Sequence, residues 1–142
     1  MFKHILLPTD GSSLANRAAE VGIGLAIATG ARITICYVIE PVNPFARGNP
    51  AMAMEFERTG RDLAKRSMAR AVKVAKKAGM VFEEVVVKAE APHAGIVALA
   101  RKKKCDAICM ASHSRRGLPA LVLGSVTQKV LAACKVPVLV CR

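Results

Sequence analysis

Five short runs rich in Ile, Val and Leu recur along the chain, each separated from the next by a stretch of helical periodicity. They are HILLP (His4–Pro8), RITICYVI (Arg32–Ile39), VFEEVVVK (Val81–Lys88), DAICM (Asp106–Met110) and VLVC (Val138–Cys141). Strands joined through helices by short turns form right-handed crossovers, and such crossovers make neighbouring strands parallel. Aromatic residues are 4% of the chain, so Val, Ile, Leu and Ala build the core, as in compact parallel α/β sheets. The fold class that follows is α/β with an open five-stranded parallel sheet. The length, 142 residues, predicts one domain over 1–142.

The segments between the runs carry helix signals. Thr9-Asp10-Gly11-Ser12-Ser13 makes a turn into a helix capped by Ser12 or Ser13. Leu14, Ala18, Val21, Leu25 and Ala28 predict its sheet-facing stripe, and Gly30 its end. Glu40 to Pro50, with three prolines and a glycine, predicts the longest irregular segment. Phe56, Leu63, Ser67, Ala71, Val74 and Ala78 predict the inner face of a second helix from Ala51 to Ala78. Ala91-Pro92 opens a third helix, with Ile96, Val97, Leu99 and Ala100 inward. A fourth, from Gly124 to Ala133, turns Val126, Val130, Leu131 and Cys134 inward. No helix follows the last run, which predicts an apolar edge strand. Pairing with a second copy would cover it, so a homodimer through Val136–Cys141 is expected.

The most informative stretch is Met110 to Val130. A strand stops at polar Ser112-His113-Ser114-Arg115-Arg116-Gly117, and Gly124-Ser125 then opens a helix. A strand feeding a basic loop and a helix N-terminus is a construction for holding an anion, because the first helical N–H groups point at the ligand.

Lys and Arg number 22 against ten Asp and Glu, a formal charge of +12. Such a charge draws anions. Each basic run also has a local explanation: a solvated helix face from Arg58 to Lys77, and a favourable helix C-terminus at Arg101–Lys104. No aromatics interleave these charges and no helix-turn-helix spacing appears, so nucleic acid is not expected as a partner. No apolar run approaches the roughly 18 residues that span a bilayer. MFKHILLPTD breaks at Pro8 and fails as a signal peptide, so no membrane partner and a cytoplasmic location are expected. The five cysteines lie mostly in apolar runs and read as small buried hydrophobes.

PTDGS at Pro8–Ser12, the Cys105-Asp106 pair, the Gly124-Ser125 loop and VPVLV at Val136–Val140 resemble the universal stress protein family over nearly the whole chain. The resemblance implies strand order 3-2-1-4-5 with helices on both faces, a Rossmann-like sheet of the adenine nucleotide alpha hydrolase-like type. Ligands of such sheets bind beyond the strand C-termini, at the switch point between the first and fourth strands. Some members bind ATP through Gly, two residues, Gly, nine residues, then Gly-Ser or Gly-Thr. Here those positions are Ala111, Ser114, Gly124 and Ser125, with the spacing kept and the first two glycines replaced. Alanine adds one methyl, and serine in a left-handed conformation costs roughly 1–2 kcal/mol.

The resemblance further implies an adenine wall of Pro8, Thr9 and Val38, with Asp10 facing the ribose or a phosphate-bound Mg²⁺ and serving the metal only through Mg-ATP. His113, Ser114, Arg115, Arg116, Gly124, Ser125 and Val126 would line the phosphate side. No catalytic residue is expected: the sequence has no triad, no paired carboxylates for activating water and no Walker glycine-lysine motif. The expected function is a dimeric ATP-binding stress-response or regulatory protein with little or no turnover. A nucleotide-free dimeric interaction module of the same family is the alternative, and a basic nucleic-acid binder a third.

Overall fold

A computed structural model describes residues 1–41, 48–113 and 123–142. Its five strands form one parallel sheet in the order β3-β2-β1-β4-β5. In chain order the elements are β1 (His4–Pro8), α1 (Ser13–Thr29), β2 (Arg32–Ile39), α2 (Pro50–Lys77) and β3 (Phe82–Lys88). Then come α3 (Pro92–Lys102), β4 (Ala107–Ala111), α4 (Ser125–Ala133) and β5 (Val138–Cys141). The expected order and the edge position of β5 are both present.

Strand alternation divides the core between two faces. Ile5, Leu7, Ile33, Ile35 and Cys109 point to the side covered by α1 and α2, meeting Ala19, Ile23, Met68 and Ala71. Leu6, Cys36, Ile108 and Met110 point to the other side, where α3 and α4 contribute Ile96, Leu99 and Val130. Helices therefore cover both faces. Burial pushes the Cys36 thiol up to about 12 and the Cys105 thiol up to about 11, while burial and the neighbouring Cys141 push Cys109 up to about 12. All five cysteines are free.

Three helix faces differ from the sequence expectation. On α1 the buried side is Ala15, Ala18, Ala19, Gly22, Ile23 and Ala26, while Val21 and Ala28 are exposed. The cause is close approach: a Cβ on Gly22 would lie 2.4 Å from Leu7 Cδ2. Small residues therefore make the contact, and Leu14 and Leu25 flank it half-buried.

On α2, which starts where the Asn49 side chain accepts from the Ala51 and Met52 N–H groups, every buried residue lies at Ala64 or beyond. Phe56 and Leu63 are exposed. Twenty-eight residues make a helix about 42 Å long, more than an eight-residue strand can cover at about 3.3 Å per residue. On α4 the buried residues are Thr127 and Val130, and Leu131 is exposed. The Thr127 hydroxyl turns inward because it donates to the Ala111 carbonyl at 3.3 Å.

At the strand starts, buried His4 bonds the Lys103 carbonyl through Nδ1 (3.1 Å) and Thr34 Oγ1 through Nε2 (2.8 Å). Thr34 donates to Glu83, and Lys103 Nζ closes the chain on the same carboxylate at 2.7 Å. The Asp106 carboxylate accepts from the N–H groups of Lys3 and His4. These bonds tie the beginnings of β1, β2 and β3 to the end of α3, which fixes the far end of the sheet and leaves the other end to open. Lys104 follows α3 with φ 54, the left-handed conformation usual for glycine.

Gly22→Ala should lower stability by about 1–3 kcal/mol, since Leu7 is fully buried and has nowhere to move. Chemical denaturation with the wild-type slope and a lower midpoint is the expected readout.

Candidate functional site

β1 and β4 pair only at Ile5–Ala107 and Leu6–Ile108, whereas β1 and β2 stay paired as far as Pro8–Cys36. The central strands therefore part at their C-terminal ends. A crevice of about 370 Å³ opens there, within the range of small-molecule sites. Pro8, Thr9 and Asp10 from β1, Val38 from β2, Ala111 and His113 from β4, and Gly124, Ser125 and Val126 at the start of α4 all line it. Ser114, Arg115 and Arg116 lie outside the described residues.

The loop after β1 is held by its own side chains. Gly11 takes φ 80 and packs so closely that a Cβ would lie 2.8 Å from the Ser67 backbone of α2. The Gly11 N–H donates to Thr9 Oγ1, and Thr9 N–H donates to the Cys36 carbonyl. Ser12 caps α1 by accepting from the Ala15 N–H at 3.1 Å. Asp10 Oδ1 accepts from the Ser12 N–H at 2.9 Å. His113 Nε2 crosses from the other loop to Ser12 Oγ at 3.1 Å and Asp10 Oδ2 at 3.3 Å. Half-burial would push the Asp10 carboxyl up, but the hydrogen bonds from Ser12 and the His113 imidazole outweigh it and hold the carboxyl below its usual range.

The loop after β4 is pinned where it leaves and where it returns. Gly124 N–H donates to Ser112 Oγ at 2.9 Å, and Gln128 Nε2 donates to the Leu123 carbonyl at 2.8 Å. A Cβ on Gly124 would lie 2.5 Å from the His113 carbonyl oxygen. Gly124 is the N-cap of α4 and offers no side chain to the first turn. Among the described residues nothing accepts from the Ser125, Val126 and Thr127 N–H groups, and all three residues line the crevice.

Residues the sequence reading did not assign to the site complete the lining: Ala15 on α1, Cys36 and Tyr37 on β2, Glu40 just after it, Pro92 and Ile96 on α3, Met110 and Thr127. α3 comes this close because a Cβ on Gly95 would already lie 2.9 Å from Val38 Cγ1. Burial pushes the Tyr37 phenol up, and the Asp10 and Glu40 carboxylates add to that. The signal for α3 was the strand order itself, which sets its first turn beside the end of β2.

The Usp model, the universal stress protein family, matches residues 1–142. The chain belongs to this family. The universal stress protein in the QAH/OAS sulfhydrylase 3' region of Thermus aquaticus is 38% identical over 146 residues, covering 100% of both chains. Universal stress protein MJ0531 of Methanocaldococcus jannaschii is 30% identical, covering 100% of this chain and 83% of its own length. Among solved structures, MJ0577 superposes with a TM-score of 0.83 at 28% identity, over 99% of this chain and 96% of that one. A universal stress protein in complex with cAMP gives 0.74 at 26% identity, over 98% and 96%. The sheet order is that of a universal stress protein fold.

Asp10 supplies a pH test. With its folded value below the unfolded one, its stabilisation is complete above the unfolded value and is lost as pH falls through the folded one. Carboxyl NMR should find Asp10 titrating below an ordinary aspartate, and Ser12→Ala should move it back up.

Proposed function

We propose that the crevice binds an adenine nucleotide, ATP with Mg²⁺, and that the protein acts as a dimeric regulatory universal stress protein with little or no turnover. One observation carries the reading. The first turn of α4, whose three N–H groups have no acceptor among the described residues, lines with Ser125 the crevice formed where β1 and β4 separate. Partial positive charge at a helix N-terminus is complementary to phosphate. A related universal stress protein of solved structure holds cAMP, which supports an adenine ligand in this fold.

The roles follow the lining. Pro8, Thr9 and Val38 are the apolar wall for the base, and Ile96 and Met110 extend it. Asp10 supplies the one carboxylate of the β1 loop and would hold Mg²⁺ together with the phosphates. Ser125 and Val126 present the phosphate end, with Ser114, Arg115 and Arg116 assigned there by their place in the sequence. Ala111 is half-buried at the end of β4, its carbonyl already bonded to Thr127, so its methyl replaces the family glycine without disturbing that bond. Two carboxylates, Asp10 and Glu40, line the crevice among the described residues; slow or absent turnover is proposed because the sequence carries no catalytic triad and no Walker glycine-lysine motif.

Purified protein, once denatured, should release adenine nucleotide, and the emptied form should respond to Mg-ATP by calorimetry. Gly124→Ala should weaken binding at least tenfold, because its Cβ must displace the His113 carbonyl and with it the start of α4. No released nucleotide and no response up to millimolar Mg-ATP would favour the nucleotide-free interaction module.

The dimer is proposed through β5. The Pro137 and Cys141 carbonyls accept from Ile108 and Ser112, so odd-numbered residues face β4 and the Val138 and Val140 backbone groups face outward. Val140→Pro removes an outward N–H while sparing the bonds to β4. It should halve the mass in solution and keep the circular-dichroism spectrum. An unchanged mass would place the dimer contact elsewhere or remove it.

A further inference from the structure

We propose that the end of the molecule opposite the crevice binds a nucleic-acid backbone through sequence-independent phosphate contacts. Along the sequence the cations fall into separate runs, each with a local role, and the topology gathers several of those runs. In a parallel sheet covered by crossover helices, every helix C-terminus returns to the end where the strands begin. Lys76 and Lys77 close α2, and Arg101–Lys104 close α3. Lys135 follows α4, while Lys3 and Arg32 stand at the starts of β1 and β2. Nine basic side chains thus share one end with three carboxylates, Glu83, Asp106 and the exposed Glu84.

Two of these carboxylates are already engaged within the fold, Glu83 by Lys103 and Thr34, Asp106 by two backbone N–H groups. None of the other eight cations has an acidic partner among the described residues, and all eight are exposed. Helix carbonyl ends offset about half a charge each, about two units for four helices, so that with the carboxylates counted about four of the nine stay uncompensated. The local explanation is therefore too small.

Shape points the same way. Arg32, Lys102, Lys103 and Lys104 line a concave site of about 410 Å³ between the start of β2 and the end of α3. A second hollow on the far side of α3 is lined by Arg101, Lys104 and Lys135, so the charge runs continuously around Lys104. Lys104 holds a left-handed backbone that glycine would adopt without strain, and it is the one described non-glycine residue that does so. A concave basic track fits a phosphodiester strand. With no aromatic residue beyond Phe82 in the hollow to stack on bases, the contact is with phosphates and indifferent to sequence.

The test measures anisotropy of two unrelated duplexes of about 20 base pairs across salt. If four of these cations each neutralise one phosphate, affinity should fall about a hundredfold between about 50 and about 200 mM salt, equally for both duplexes. Arg32→Gln with Lys102→Gln and Lys104→Gln should reduce the slope by about 2.7. Lys104→Gly alone should weaken binding while keeping the thermal midpoint, since it removes a cation and relieves the backbone together. Lys65→Gln with Lys73→Gln, on the outer face of α2, should cost much less than the triple change. No binding at about 50 mM salt, an unchanged slope in the triple variant, or an equal loss in the α2 variant would overturn the proposal. So would binding to phosphatidylserine vesicles with none to either duplex. Mg-ATP in the crevice should leave duplex affinity unchanged, so this result and the nucleotide result stand or fall separately.

Discussion

β1 is bonded to a neighbour on each side, and Ile5, Leu6 and Leu7 are fully buried on alternating faces. Its side chains therefore enter the core on both faces of the sheet. The α1 contact at Gly22 is set by Leu7, and the α3–α4 core closes on Leu6. The same strand decides where the sheet opens. Its pairing with β4 ends at Leu6, and the chain leaves through Pro8, which has no N–H to extend the ladder. The crevice is thus a consequence of how the central strand is terminated.

The two ends of the sheet are built with opposite economies. Where the strands begin, His4, Thr34, Glu83, Lys103 and Asp106 satisfy one another and tie β1, β2, β3 and α3 together. Where the strands end, polar groups are left facing the crevice, most clearly the first turn of α4. A buried donor without a partner costs about 1–3 kcal/mol, so such groups are kept open only where water or a ligand can reach them. Internal bonding is concentrated at the end where the strands begin, and open backbone donors at the end where they finish.

Much of this was legible in the sequence. The five apolar runs and their spacing named the strands, and nine of the twelve candidate site residues line one crevice. What the sequence concealed was geometry of approach. Counting apolar residues selected Leu14 and Val21 for the inner face of α1, but a helix that lies this close to a sheet buries Ala and Gly instead. Phe56 and Leu63 have helical spacing with the core residues of α2, yet the sheet is shorter than the helix. Thr127 was invisible to any apolar count because its place inside depends on one hydrogen bond to Ala111. The summed charge of five separate segments also needed the fold before it could be seen as one surface.

Anchoring at both ends of the β4–α4 connection has an evolutionary corollary. Ser112 and Thr127 hold the departing backbone, and Gln128 holds the returning one, all through contacts that do not involve the residues between His113 and Leu123. The register of β4 and the docking of α4 are thus secured by side chains that stand outside that interval. Ser112 and Thr127 join the strand end to the helix start and Gln128 holds the backbone at Leu123, so selection on those three positions acts on the scaffold directly.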